Sequence, residues 1–293
     1  MDFTPLINKA DVLNEALPYI QKFKDSIAVI KFGGSAMENP ELTRKTMRDI
    51  VLLDAIGMKL VVVHGGGKAI SARLKELGIA TKFINGLRVT DEDTIKVVDD
   101  VLHNNTNKSL VDGITAVGGR GVSISGKRIM RAEKQWTKDA ATGEKLDIGY
   151  VGKVIAVDVH PILDALEYKY IPVITPLAMD FYHQTYNINA DTAACEIAKA
   201  LRARKLVFLS DVPGILRDPK DESSLISVIH TSEVDKLIAD GVLSGGMLPK
   251  IQSSVSAIQA GTREVHMIDG RNPHSLLLEI FTNSGIGTEI LEG

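Results

Sequence analysis

Along most of the chain, short runs of aliphatic and β-branched residues alternate with longer stretches whose apolar positions recur every three to four residues. The first pattern is that of strands buried on both faces, the second that of helices with one buried side. The runs predict strands over Ile27–Phe32, Leu60–His64, Ile114–Val117, Ile171–Thr175, Leu206–Ser210 and Glu264–Ile268. The periodic stretches predict helices over Glu41–Ile56, Ala69–Leu77, Asp91–Val111, Ile162–Tyr168, Thr192–Ala203, Val234–Ala239 and Ile251–Ala260. Such alternation implies βαβ units and an α/β fold around a mainly parallel sheet. Between Lys127 and Asp158 the pattern turns polar and irregular, closing on Gly149-Tyr150-Val151-Gly152, which predicts hairpins at the rim of the sheet.

The first 25 residues stand outside this rhythm. Thr4-Pro5 has the form of an N-cap followed by proline in the first turn. Leu13, Leu17 and Ile20 then fall at helical spacing, with Ala16 and Phe23 widening the stripe. Pro18 is expected to kink this helix, because it removes a backbone donor and crowds the preceding turn. An apolar stripe ahead of the first core strand needs a surface to cover, in its own domain or in a partner.

Composition narrows the class. The chain has 293 residues, 44% of them apolar, enough for one large α/β domain or two unequal lobes. Its 34 basic and 37 acidic residues leave a net charge of −3, which argues against a general nucleic-acid or membrane-surface binder. The single cysteine, Cys195, excludes an intrachain disulfide and fits a reducing compartment. The start lacks a basic region followed by an apolar run, so no secretory signal is expected. No apolar stretch approaches the roughly 18 residues needed to span a bilayer. A cytoplasmic protein is expected.

Two predicted strands end in glycine turns, Lys31-Phe32-Gly33-Gly34-Ser35 and His64-Gly65-Gly66-Gly67-Lys68. Glycine lets backbone N–H groups approach an anion closely, and the helix that follows turns its positive end to the same place. Either turn alone is equally well explained as tight strand-to-helix geometry; two at one sheet edge shift the balance towards anion binding. Lys31 is a charge inside the apolar run Ala28–Phe32, where leaving it unpaired is costly. Lys250 follows Gly246-Met247-Leu248-Pro249 in the first turn of a helix, where the dipole disfavours a cation unless an anion sits there too. Asp191, at the start of Thr192–Ala203, is either an N-cap or a charge partner. Asn187 and Asn189 alternate in an extended segment and so face one way. Arg88, in Asn85-Gly86-Leu87-Arg88-Val89-Thr90, offers a guanidinium suited to a carboxylate. His64 is read as a hydrogen-bonded packing residue, and the seven histidines show no metal-ligand spacing.

These segments, together with Ser210–Leu216, resemble in order and spacing the amino-acid kinase family, and Asn85–Thr90 resembles its acetylglutamate kinase branch. The resemblance runs from about Ile27 to the end. It implies an open αβα sandwich with an added N-terminal helix, divided into residues 1–25, an acyl amino-acid lobe over 26–203 and an ATP lobe over 204–293. It implies that Lys31 and Lys250 stabilise the transferred phosphoryl group and that Asp191 organises them. N-acetyl-L-glutamate would meet Gly66, Gly67, Arg88, Asn187 and Asn189. ATP, with Mg²⁺ held by the nucleotide and not by the protein, would meet Gly33, Gly34, Asp211, Val212, Pro213, Gly214, Ile215, Leu216, Val242, Leu243 and Ser244. Within the family, an N-terminal helix accompanies arginine-inhibited homohexamers built as trimers of dimers. The implied arginine site lies between this helix, with Tyr19 and Lys22, and the stretch His274–Gly287, with His274, Glu279, Gly285 and Gly287.

Overall fold

Five of the six predicted strands form the centre of one eight-stranded sheet. The computed structural model describes residues 2–139, 142–282 and 285–293. The first half of the chain runs through α1 (Thr4–Phe23), β1 (Ile27–Phe32), α2 (Pro40–Ala55), β2 (Lys59–His64), α3 (Gly67–Glu76), β3 (Phe83–Ile84) and β4 (Leu87–Arg88). There follow α4 (Glu92–Asp100), a π-helical stretch Val101–Asn107, α5 (Lys108–Ala116), β5 (Gly121–Ile124), α6 (Gly126–Ile129), β6 (Met130–Lys138) and β7 (Lys145–Val157). The second half adds α7 (His160–Glu167), β8 (Ile171–Ile174), β9 (Leu177–Met179), β10 (Thr185–Asn187), α8 (Ala190–Leu201) and β11 (Lys205–Ser210). It closes with β12 (Val228–His230), α9 (Val234–Ala239), α10 (Met247–Gln259), β13 (Glu264–Asp269), α11 (Ser275–Ile280) and β14 (Thr288–Leu291).

The main sheet has the order β12-β14-β13-β11-β1-β2-β8-β5, and its pairs are parallel except β13 with β14. Alternation along β1 sends Val29 into the core layer under α7, α8 and α10, and Ala28, Ile30 and Phe32 into the layer under α2, α5 and α11. Helices thus cover both faces, and the parallel strands bring β1, β2, β8 and β11 to a common C-terminal edge.

Three expectations need correction. Ile114–Val117 is not a strand: it ends α5 and enters a turn through Gly118, at φ +91°. The strand lies further on, at Gly121–Ile124, where a Cβ on Gly121 would stand 3.2 Å from the Val111 carbonyl oxygen. Packing of α5 against this strand outweighs the β-branched character of Ile114 and Val117. Second, the β6–β7 hairpin does not join the rim of the main sheet; β6, β7, β9 and β10 close a separate small barrel. Third, Thr4 is already helical and Phe3 holds the cap position; Pro18 lies inside α1.

Among the described side chains of α1, those at its C-terminal end pack on its own chain. Phe23 is buried and Tyr19 lies edge-on to Phe281 at 6.1 Å. Leu13 is 72% exposed, Val12 64% and Leu17 49%.

Candidate active site

The two glycine turns meet at the C-terminal edge because β1 and β2 are paired in register, Phe32 opposite His64. A Cβ on Gly65 would lie 3.5 Å from the Gly33 Cα, so the turns are in backbone contact. A Cβ on Gly33 would come within 2.8 Å of the Lys31 Nζ, so the bare backbone there leaves room for the lysine to curl over the strand end. Gly34, at φ +71°, turns the chain away.

Lys31, Asp191 and Lys250 come together from three elements. The Lys31 Nζ lies 3.0 Å from one Asp191 oxygen and the Lys250 Nζ 3.3 Å from the other. Asp191 is not the cap of α8: Asn189 is, its side chain accepting from the Asp191 and Thr192 amides. Asp191 therefore sits in the first turn with its carboxylate free to bridge the lysines. Burial alone would raise its carboxyl, but the Lys31 and Lys250 ammonium groups outweigh this and hold it below the usual carboxylate range. Lys250 also lies 5.3 Å from the centre of the Phe208 ring.

A cleft of about 560 Å³ opens beside this triad, lined by Lys31, the Gly65–Gly67 turn, Arg88, Asn187, Asn189 and Asp191. Gly66 is packed from behind, since a Cβ there would lie 2.5 Å from Leu102, whereas Gly67 faces open space. Arg88 is buried, and its Nη2 donates to the Gly67 carbonyl and to the Ser71 hydroxyl, both at 2.8 Å. Burial lowers the Arg88 pKa from its usual value. The Asn187 amide donates to the Thr90 hydroxyl at 3.3 Å. His64 is fully buried, and burial takes its pKa down to about 4, so it is neutral and no acid–base catalyst at pH 7.

A model of the amino acid kinase family matches residues 26–269. Acetylglutamate kinase of Akkermansia muciniphila is 49% identical over 98% of this chain and 97% of its own length. Acetylglutamate kinase of Thermoanaerobacter sp. is 49% identical over 97% of this chain and 93% of its own. This chain belongs to the acetylglutamate kinases of the amino acid kinase family. Among solved structures, N-acetylglutamate synthase from Neisseria gonorrhoeae superposes on 97% of the chain at 26% identity. Its complex with coenzyme A and N-acetyl-glutamate gives a TM-score of 0.84, and that with coenzyme A and L-arginine 0.80. The chain spans 63–65% of the length of that protein.

On the other side of the triad of this kinase, the segment Asp211–Leu216 leaves β11 at the same sheet edge. Asp211 and Val212 are exposed there and Pro213 half-buried. Gly214, at φ +152°, admits no side chain, since a Cβ would lie 2.6 Å from the Thr288 hydroxyl. Ile215 and Leu243 point into the core, leaving their backbone alone to meet a ligand, while Val242 is half-buried and Ser244 exposed.

The candidate effector residues are largely engaged already. The Glu279 carboxylate receives His266 Nδ1 at 2.7 Å and the amides of Ile286 and Gly287. His274 occupies the N-cap position of α11 and its Nδ1 lies 2.7 Å from the Asp49 carboxylate, and Lys22 lies over the Phe23 ring. Gly285 adopts φ +60° against the Glu279 carboxylate, and a Cβ on Gly287 would strike the Met267 carbonyl. Asn283 and Ser284 of this stretch lie outside the described residues.

Sequence reasoning missed the charged network beneath this stretch: Lys205 pairs with Glu264 and lies 2.9 Å from His266, with Glu289 close by. Glu264, His266 and Glu289 are spaced as metal ligands would be, but the Lys205 ammonium already serves as their cation. Although burial opposes both shifts, Glu264 and Glu279 raise the His266 pKa, and His266 with Lys205 lowers that of Glu264. Glu264 and His266 are two residues apart, but Lys205 and Glu289 lie far from them in sequence, so nothing local signalled the whole network.

Cys195 is buried one turn after Asp191, and burial pushes its thiol up. Iodoacetamide is expected to leave it unmodified in the folded protein and to alkylate it fully in guanidinium, as intact-mass spectrometry would show.

Proposed function

We propose that this kinase transfers the γ-phosphoryl group of ATP to the side-chain carboxylate of N-acetyl-L-glutamate in arginine biosynthesis, in the cytoplasm. The observation that carries the reading is the Lys31–Asp191–Lys250 triad beside a glycine-lined cleft holding Arg88. A side-chain carboxylate, with a pKa near 4.3, is already an ionised nucleophile at pH 7 and needs no general base. The difficulty is repulsion between carboxylate and phosphate. One carboxylate oxygen attacks the γ-phosphorus as the bond to the β–γ bridging oxygen breaks, releasing ADP. Lys31 and Lys250 neutralise charge that spreads over the transferring group, and Asp191 holds the two ammonium groups in register before ATP arrives.

The nucleotide would lie along Gly33, Gly34, the 211–216 segment and 242–244. Mg²⁺, when bound to the ATP phosphates, supplies further charge neutralisation. The only carboxylate within the triad is already shared by two ammonium groups, which fits a metal carried by nucleotide. The Gly66 and Gly67 amides, Arg88, Asn187 and Asn189 would hold the acyl amino acid. Residues 26–203 would form its lobe and 204–293 the ATP lobe. Hydroxylamine trapping of acyl phosphate across N-acetylglutamate, glutamate, aspartate and UMP tests the assignment; a preference for any of the last three would overturn it.

Arg88→Lys is expected to raise the Kd for N-acetylglutamate about tenfold or more while leaving ATP binding unchanged. An ammonium reproduces neither the planar fork nor the tie to Gly67 and Ser71, and one charge-assisted hydrogen bond is worth about 1.5–3 kcal/mol. Calorimetric titration of both ligands decides this.

Regulation is part of the proposal. The exposed stripe on α1 suits interlacing with the same helix of a neighbouring dimer, which would build a homohexamer. L-arginine would bind between α1 and the 274–287 stretch, near the Glu279–His266 pair, and inhibit by favouring one arrangement of the lobes. The N. gonorrhoeae synthase, solved with L-arginine, supports a site for this ligand on the shared fold.

A further inference from the structure

The α4–α5 helix contains a seven-residue π-helical stretch, Val101–Asn107, and that stretch lies against the second glycine turn. A π turn closes between residues five apart, so it stacks Leu102 and Asn107 on one side of the helix. Leu102 sits behind Gly66, and Thr106 lies close by. Asn107 is fully buried; its Nδ2 donates to the Val173 carbonyl at 2.9 Å and contacts His64 Nε2 at 3.1 Å. An amide nitrogen only donates, so Nε2 must accept and the His64 proton must reside on Nδ1. Nδ1 lies 2.7 Å from the Gly65 carbonyl oxygen and therefore donates to it. The buried Asn107 Oδ1 has no hydrogen-bond partner among the described residues, a destabilising arrangement.

The Gly65 carbonyl belongs to the peptide that carries the Gly66 N–H. In a planar trans peptide the two point in opposite directions, so fixing one aims the other. The next carbonyl, Gly66, is held by the Ile70 amide, and that of Gly67 by Arg88. Only the Gly65 carbonyl depends on a side chain that lies outside the cleft and outside α3.

We propose that Asn107 and His64 form a positioning relay: the π-helical Asn107 selects the Nδ1–H tautomer of His64, which locks the Gly65–Gly66 peptide with its N–H aimed at the acceptor's anionic group. Neither residue touches substrate. The inference deepens the reading of the glycine turn as the acyl-substrate site and rests on it.

Two isosteric substitutions separate positioning from packing. In His64→Asn the side-chain amide nitrogen takes the place of Nδ1 and can still donate to Gly65. In His64→Gln it takes the place of Nε2, which fills the volume better but loses that donor. Steady-state kinetics are expected to show a KM for N-acetylglutamate raised about tenfold or more in His64→Gln, within about threefold of wild type in His64→Asn, and an unchanged KM for ATP in both. Better function in His64→Gln, or equal KM values in the two, would overturn the relay. Nitrogen-15 NMR of labelled histidines in the unsubstituted enzyme tests the tautomer whatever the variants do. A resonance pair for His64 protonated at Nδ1 is expected, and protonation at Nε2 would sink the proposal. An unsubstituted enzyme inactive on N-acetylglutamate would instead refute the substrate assignment, leaving the tautomer test standing.

Discussion

Lys31→Ala and Lys250→Ala are each expected to lower kcat by about 10²–10³-fold, with a much smaller change in KM for N-acetylglutamate. That is the size of loss seen when one preorganised donor to a developing charge is removed. The two lysines meet at opposite oxygens of Asp191, and neither lies where its charge would be favourable without an anion to meet. Their attraction for the phosphoryl group grows as negative charge shifts in the transition state, so the loss belongs to kcat. Single-turnover measurement with saturating ATP isolates the chemical step. A near-normal rate in either variant would remove that lysine from the mechanism. Their combined loss should fall short of the product of the single effects, because each substitution also leaves Asp191 with one counter-ion fewer.

Removing residues 1–24 is expected to yield an active dimer that no longer responds to arginine. The motivation is energetic: Leu13 and Val12 keep well over half of their surface in water and Leu17 about half, while Phe23 anchors the other end of α1. An apolar stripe of this extent marks an interaction surface, and a second copy of the helix buries it without a new sequence being needed. Light scattering reads the assembly and an arginine titration of the truncated enzyme reads the response. A truncated protein that stayed hexameric and arginine-sensitive would end the proposal.

What was legible in the chain was whatever strained against its local setting. Lys31 stood out because a charge in an apolar strand demands a partner, and the structure supplies Asp191. Lys250 stood out because it faces the wrong end of a helix dipole. The alternation of patterns was enough to place most of the sheet, since burial on both faces leaves a strong mark. Ile114–Val117 misled because four β-branched and small residues fit a strand and a helix end equally well, and only the packing of α5 decides. The cap of α8 was uncertain for a similar reason: Asn189 and Asp191 both suit a helix start, and the choice follows from the lysines that claim Asp191. Asn107 left no trace at all. A π-helical insertion has no composition of its own, and its meaning depends on His64, forty-three residues earlier. The Lys205–Glu264–His266 network was hidden likewise, its ends joined only when β11 pairs with β13.

The pairing of β1 with β2 has a metrical consequence. On the proposed reading, one glycine turn receives the donor and its neighbour the acceptor, and the two turns issue from adjacent strands in register. Adjacent strands are spaced about 4.8 Å apart by their hydrogen bonds, and a buried parallel sheet has little freedom to change that figure. On that reading the spacing of the two turns is set by the backbone hydrogen bonds between β1 and β2, independently of the side chains that line the cleft. New acceptors could be accommodated on such a frame by changing the walls of the cleft while the spacing of the two turns is kept.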